Sequence, residues 1–133
     1  MDSRTALKPN TLLRFEGGYE YIVVGELARG GSSIVYDGFY YDNTGDRKRV
    51  RIKECYPFKC CITRNNDTSL SIKDEEQELF RETRKKIIRA YKLGNEFFST
   101  DGLTNVTSNT YNLFAGNNTV YVVSVYAQGR ELS

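Results

Sequence analysis

The chain has 133 residues, 39% hydrophobic and 27% charged, with a net charge of +2. That length fits one domain rather than two, and the balance is that of an ordinary globular domain. It excludes a strongly basic nucleic-acid binder, and no apolar run approaches the roughly 18 residues of a membrane helix. The first residues, MDSRTALKPN, lack the apolar core of a secretory signal. Cys55, Cys60 and Cys61 give an odd count, which fits reduced thiols in a cytoplasmic protein. Cys60 and Cys61 are too close in sequence for a relaxed disulfide. Without histidine there is no Ser-His-Asp or Cys-His arrangement, and no metal site is expected. Three glycosylation sequons, at Asn66, Asn105 and Asn117, are read as chance.

In chain order, residues 1–11 read as a tail. Leu12–Phe15 reads as a short strand and Glu16-Gly17-Gly18 as a turn. Residues 19–27 and 34–41, rich in aromatic and β-branched side chains, are strands. Between them lies a small-residue loop, Ala28-Arg29-Gly30-Gly31-Ser32-Ser33. Asp42-Asn43-Thr44-Gly45-Asp46 is a hairpin turn leading into a strand over Arg47–Cys55. Period-2 alternation there puts Val50 and Ile52 on one face and Arg51 and Lys53 on the other. Residues 56–73 form an insertion, with a turn at Arg64-Asn65-Asn66-Asp67-Thr68 and a small hairpin around it.

A long helix is expected over 74–98. Leu79, Thr83, Ile87, Ala90 and Tyr91 recur at spacings of three or four and form its packed stripe. Its early acids (Asp74, Glu75, Glu76, Glu78) and later bases (Arg81, Arg84, Lys85, Lys86, Arg89, Lys92) suit the helix macrodipole. The basic cluster is therefore read first as a solvated face and only second as a polyanion site. A loop over 99–105, a strand over 110–115, a turn at Gly116-Asn117-Asn118 and a strand over 119–126 follow. The class is α+β: a five-stranded antiparallel sheet with one long helix on a single face.

Two features carry chemistry. A hairpin tip with little side-chain bulk lets backbone N–H groups approach phosphates. A strand lysine, Lys53, can reach those phosphates when an acid on the helix orients it. Together with Val35-Tyr36 after the loop and Val50-Arg51-Ile52-Lys53-Glu54 on the third strand, they resemble the small N-terminal lobe of the protein kinase family. The similarity runs over residues 12–132 and is nearest to bacterial serine/threonine kinases with an Arg-Gly-Gly-Ser-Ser loop and an Ile-Lys-Glu strand.

The resemblance implies ATP with Mg2+ as the ligand. Ala28, Arg29, Gly30, Gly31, Ser32, Ser33 and Val35 would cover it, and Lys53 would contact the α- and β-phosphates. Ser124 would sit at the gatekeeper position, and the hinge over 124–129 would bind adenine through Val125 and Ala127. The acid paired with Lys53 stays open. The Leu79-Phe80-Arg81-Glu82 segment favours Glu82, counting back from the hinge favours Glu96, and Glu78 is a third choice. Ala28 and Ser33 replace two loop glycines, and Arg51 replaces the small residue over the adenine.

No His-Arg-Asp or Asp-Phe-Gly occurs. The chain is thus expected to be the N-terminal piece of a longer kinase-like protein, inactive alone and weak in ATP binding. A pseudokinase-type interaction or self-association module is the alternative, with a homodimer through the face a large lobe would cover. An unrelated α+β binding domain is the third reading.

Overall fold

A computed structural model describes residues 2–100 and 110–125, with side chains for 2–93 and 112–124. The strands are β1 (Leu12–Phe15), β2 (Tyr19–Arg29), β3 (Ser33–Tyr41), β4 (Arg47–Cys55), β5 (Ile62–Arg64), β6 (Leu70–Ile72), β7 (Thr110–Gly116) and β8 (Thr119–Val125). A 3-10 turn at Asp74–Glu76 leads into α1 (Gln77–Thr100). The main sheet is antiparallel and has six strands, in the order β1-β2-β3-β4-β8-β7. The expected count of five is corrected because β1 pairs along its whole length with β2, from Leu12 opposite Ile22 to Phe15 opposite Tyr19. β5 and β6 form the small hairpin expected within the insertion.

Local chemistry sets the turns. Gly17 and Gly18 hold φ of 90° and 83° between β1 and β2, a region that side chains resist. At the β3–β4 turn, Asp42 Oδ1 accepts from the amides of Thr44 and Asp46, each at 2.9 Å. The β7–β8 hairpin is a two-residue turn with Asn117 and Asn118 both left-handed, at 52° and 64°, the pairing that a primed turn requires.

The sheet curls until its edges meet. Register shifts in β2 at Val23/Gly25 and Glu26/Ala28 bend the strand. At the seam, the Phe15 ring on β1 stacks on Phe114 of β7, with centroids 4.5 Å apart and planes 3° from parallel. Gly38 permits the tight curl on β3, since a Cβ there would lie 2.8 Å from both the Ile22 carbonyl oxygen and Ile52 Cδ1. The concave face holds the main core, with Tyr21, Val23, Ile34, Val50, Ile52 and Val123 all buried.

At the centre of this core lies a carboxylate. Glu54 is fully buried. Arg64 of β5 donates to it twice, Nη2 to Oε1 at 2.7 Å and Nη1 to Oε2 at 2.8 Å. The hydroxyls of Tyr36 and Tyr121 donate to it at 2.7 and 2.6 Å. The two tyrosines accept in turn from the Leu7 amide and from Asn117 Nδ2. Burial and the neighbouring Glu54 charge push both phenols well above their ordinary range.

The network explains another correction. Residues 1–11 were expected to form a tail, but the described part, from Asp2 onward, is a strap packed against the core. Leu7 is buried, and the Thr5 amide donates to the Tyr56 hydroxyl. Arg4 donates to the Tyr56 carbonyl at 2.8 Å, and Asn10 and Thr11 pair with Val23. The β5–β6 hairpin is tied down as well: Leu70 N donates to Asn117 O, and Asn118 Nδ2 to Leu70 O. Asn117, one of the sequon residues, is thus occupied structurally.

α1 crosses the opposite, convex face. Phe80 and Ile87 bury against Cys55, Cys60 and Val120, forming a second core. Leu79, expected on the packed stripe, is exposed, and Phe80 takes its place. The helical bases fall mid-helix, with none in the last turn, so the expected macrodipole match holds only at the acidic start. Of the loop expected over 99–105, Ser99 and Thr100 belong to α1 and the rest lies outside the described residues, as does the hinge beyond Val125. Among those described, no helix is long and apolar enough to cross a membrane.

Two tests follow from this core. Arg64→Met leaves the Glu54 charge buried without its cation, and is expected to lower the unfolding free energy by about 3–5 kcal/mol. A drop below about 1 kcal/mol in urea denaturation would contradict a structural role for the pair. The double change Glu54→Leu with Arg64→Met should recover much of the loss, because the stranded charge is gone.

Alkaline pH supplies the second test. Burial raises the Cys55 thiol from 9.0 to about 11 and the Tyr21 phenol from 10.0 to about 12. The fold therefore favours the protonated forms. Their contribution is complete below pH 9.0 and is lost as the pH climbs through about 11 to about 12. Urea midpoints should be level near neutrality and fall over that window. A midpoint that rises there would refute the assignment.

Candidate functional site

β4 presents its two faces to different environments. Ile52 and Glu54 point into the core, so Lys53 and Arg51 point the other way, toward α1. The register sets Lys53 between Val35 on β3 and Val122 on β8. These three side chains line the sheet wall of a cleft, with Arg51 and Ser124 farther along the same wall. The facing wall is α1, through Thr83, Lys86, Ile87, Ala90 and Tyr91. Ser32, at the tip between β2 and β3, overhangs one end. The cleft volume is about 520 Å³, within the range of small-molecule and nucleotide sites.

The overhanging tip is shorter than the sequence indicated. Ala28 and Arg29 belong to β2, paired with Val35 and Ile34, and Ser33 begins β3 as a buried residue. Only Gly30, Gly31 and Ser32 form the loop. Arg29 is turned from the cleft toward the N-terminal strap, donating to Glu26 and to the Arg4 carbonyl. Its hydrogen bonds to Glu26, then the nearby Asp2 carboxylate, raise its pKa.

The tip is anchored from behind. Gly30 N donates to Ser33 O at 2.9 Å, Tyr56 N to Ser32 O at 3.0 Å and Phe58 N to Gly31 O at 2.8 Å. These bonds use the loop carbonyls. Among the described residues, the Gly31 and Ser32 amides donate to no protein acceptor. A loop held by its carbonyls and presenting two successive N–H groups can accept an anion.

The expected ion pair between Lys53 and Glu82 is not formed. Glu82 sits beside Lys85, 4.0 Å away and half exposed, and Glu78 pairs with Arg81 at 2.7 Å. Residues 83, 86, 87, 90 and 91 line the cleft, and Glu82, one turn before Lys86 at the edge of that arc, sits beside Lys85 instead. The Glu96 side chain lies outside the described residues, as do the side chain of Val125 and all of Ala127. Lys53 makes no ion pair among the described residues.

Lys86 is the site residue that sequence reading passed over. It was grouped with the other helical bases as solvated surface, yet it lies one turn from Thr83 and from Ala90. That phase alone placed it on the stripe. The cleft therefore carries three cations, Arg51, Lys53 and Lys86, and among the described residues no carboxylate lines it. Nor do the described residues contain a cluster of three or more His, Cys, Asp or Glu able to hold a metal ion. The donor set fits phosphate groups and does not by itself fit a divalent cation.

No family model and no curated protein matches the chain. A solved structure described as "PpkA-294 apo form", a bacterial Ser/Thr kinase fragment, superimposes with a TM-score of 0.60 at 21% identity. The match covers 86% of this chain and 38% of that one, so the chain spans well under half of the neighbour. At that identity the likeness concerns the fold alone: this chain has a kinase-like fold, similar to a kinase small lobe.

Proposed function

We propose that the chain is the nucleotide-binding small lobe of a serine/threonine protein kinase-like protein. The observation that carries this reading is the shared cleft, which Lys53 on the sheet, Ser32 of the Gly30-Gly31-Ser32 tip and α1 line together. In this arrangement the Gly31 and Ser32 amides cover the phosphates, and the Lys53 ammonium contacts them from the sheet. Val35 and Val122 supply apolar contact beside the phosphate end. The Mg2+ that the transfer reaction uses would be held by residues outside this chain. Phosphoryl transfer needs an aspartate base and metal-binding residues that this chain does not contain, so the reaction belongs to a larger protein carrying a large lobe.

A second reading is a pseudokinase-type interaction module, and two observations favour it. Arg51 lines the cleft where an adenine ring needs a small neighbour, and a guanidinium there crowds or stacks on a purine. The helix acids Glu78 and Glu82 face away from Lys53. In this reading the fold is kept for binding rather than for turnover.

Titration of the 133-residue chain with ATP and Mg2+, followed by amide NMR, separates the two. The nucleotide reading expects binding on the order of 1 mM, with shifts concentrated at Gly31 and Ser32. Lys53→Met should weaken binding by about tenfold or more, since it removes a charged hydrogen bond to phosphate. Lys53 is exposed, so the variant should fold normally. Shifts absent from the loop, or insensitive to Lys53→Met, would favour the interaction module.

A further inference from the structure

We infer that Lys86 on α1 is a second phosphate-binding residue, and that the cleft holds a polyphosphate chain between two lysines without a divalent metal. The inference rests on the phosphate half of the function proposed above and goes beyond it in residue and in metal dependence.

The argument begins with charge. Lys53 comes from the sheet wall and Lys86 from the helix wall of one cleft. Neither makes an ion pair among the described residues, whereas their helical neighbours Arg81 and Lys85 are matched with Glu78 and Glu82. Both ammoniums are exposed and screened by water, and their repulsion grows where apolar surface displaces that water. Val35, Val122, Ile87 and Ala90 supply that surface between them. A ligand carrying several negative charges in a row relieves the repulsion and gains a charge-assisted hydrogen bond at each wall.

The roof selects the same chemistry. The Gly31 and Ser32 amides point no donor at a protein acceptor, and the carbonyls that would repel an anion are engaged by Phe58 and Tyr56. A triphosphate can meet all three surfaces: amides above, Lys53 from the sheet and Lys86 from the helix. Mg2+ commonly neutralises such a chain in water. Here two lysines take that part, and the described residues offer the metal no carboxylate in the cleft.

Two sources of the ligand chemistry are distinguishable, inorganic tripolyphosphate and ATP. The 133-residue chain is titrated with each, in EDTA and in Mg2+, reading the Gly31 and Ser32 amides. Variants are Lys86→Met, Lys86→Arg and, as a control for diffuse surface charge, Lys85→Met. The inference expects tripolyphosphate to bind in EDTA, with no gain in affinity from Mg2+. It expects Lys86→Met to weaken binding about tenfold or more, Lys86→Arg to retain it within about threefold, and Lys85→Met to leave it unchanged.

The inference is overturned if binding occurs only with Mg2+, if Lys86→Met binds as tightly as the parent, or if Lys85→Met loses as much as Lys86→Met. In the first two cases, ATP binding that still depends on Lys53 leaves the nucleotide reading standing. Tripolyphosphate held by both lysines with no response to ATP would instead keep this inference and remove the adenosine part of that reading. Silence of the loop amides toward both ligands would remove both.

Discussion

The structure depends on a carboxylate that has no access to water. Glu54 sits in the middle of the curled sheet and receives four hydrogen bonds, two from Arg64 and one each from Tyr36 and Tyr121. An unpaired charge at that depth would be strongly destabilising. Satisfying it requires β3, β4, β5 and β8 to arrive together. Arg64 also binds the Thr5 and Thr68 carbonyls, which brings in the N-terminal strap and the β5–β6 turn. The insertion after β4 is thus part of the fold's centre, since it delivers the cation on which Glu54 relies. Such a network adds less to net stability than its number of bonds implies. Its effect is on uniqueness: any other register of β4 strands the charge.

That constraint reaches the cleft through one peptide bond. Lys53 precedes Glu54, and successive strand residues face opposite ways. Fixing the carboxylate on the core side fixes the ammonium on the helix side, between Val35 and Val122. The same logic runs along the loop. Cys55 is held by α1 and by Thr119, whose hydroxyl donates to its carbonyl at 2.7 Å. Tyr56 and Phe58, immediately after, grip the carbonyls of Ser32 and Gly31. One stretch, residues 52–58, therefore closes the core, aims the lysine and anchors the roof above it. A site assembled in this way has its strand and loop positioned before any ligand arrives, which lowers the ordering cost of binding.

Much of this was legible in the residues. The alternation of Val50 and Ile52 against Arg51 and Lys53 gave the two faces of β4, but the burial of Glu54 on the core face was not read from it. The Asp-Asn-Thr-Gly-Asp and Gly-Asn-Asn turns marked their hairpins through side-chain and backbone chemistry that is local. What was hidden is non-local. Residues 1–11 have too few apolar side chains to show a period, and their packing rests on single contacts such as Leu7 with Tyr36 and Arg4 with Tyr56. The sixth strand was visible as a strand, its membership of the sheet rests on pairing with β2, and the Phe15–Phe114 stack across the seam joins partners about 100 residues apart. The loop looked longer than it is because Ala28, Arg29 and Ser33 are small or polar, and yet strand pairing absorbs them.

The helix shows how much chemistry can hang on phase. Leu79 and Phe80 are adjacent and both apolar, so either could start the buried stripe. The structure selects Phe80, whose ring meets Cys55 and Val120 while Arg84 covers its outer side at 5.7 Å. Thr83, Ile87 and Ala90 follow at helical spacing from either start. From Phe80 the inward set runs through Thr83, Ile87 and Ala90, and Lys86 falls on its cleft edge, while Glu82 turns to solvent with Lys85. The charge that α1 sets opposite Lys53 is therefore that of Lys86. With an acid there, the lysine would be neutralised by protein and the phosphates would need another cation. With Lys86 there, the described residues leave the cleft positive, which is the ground for proposing a polyanion.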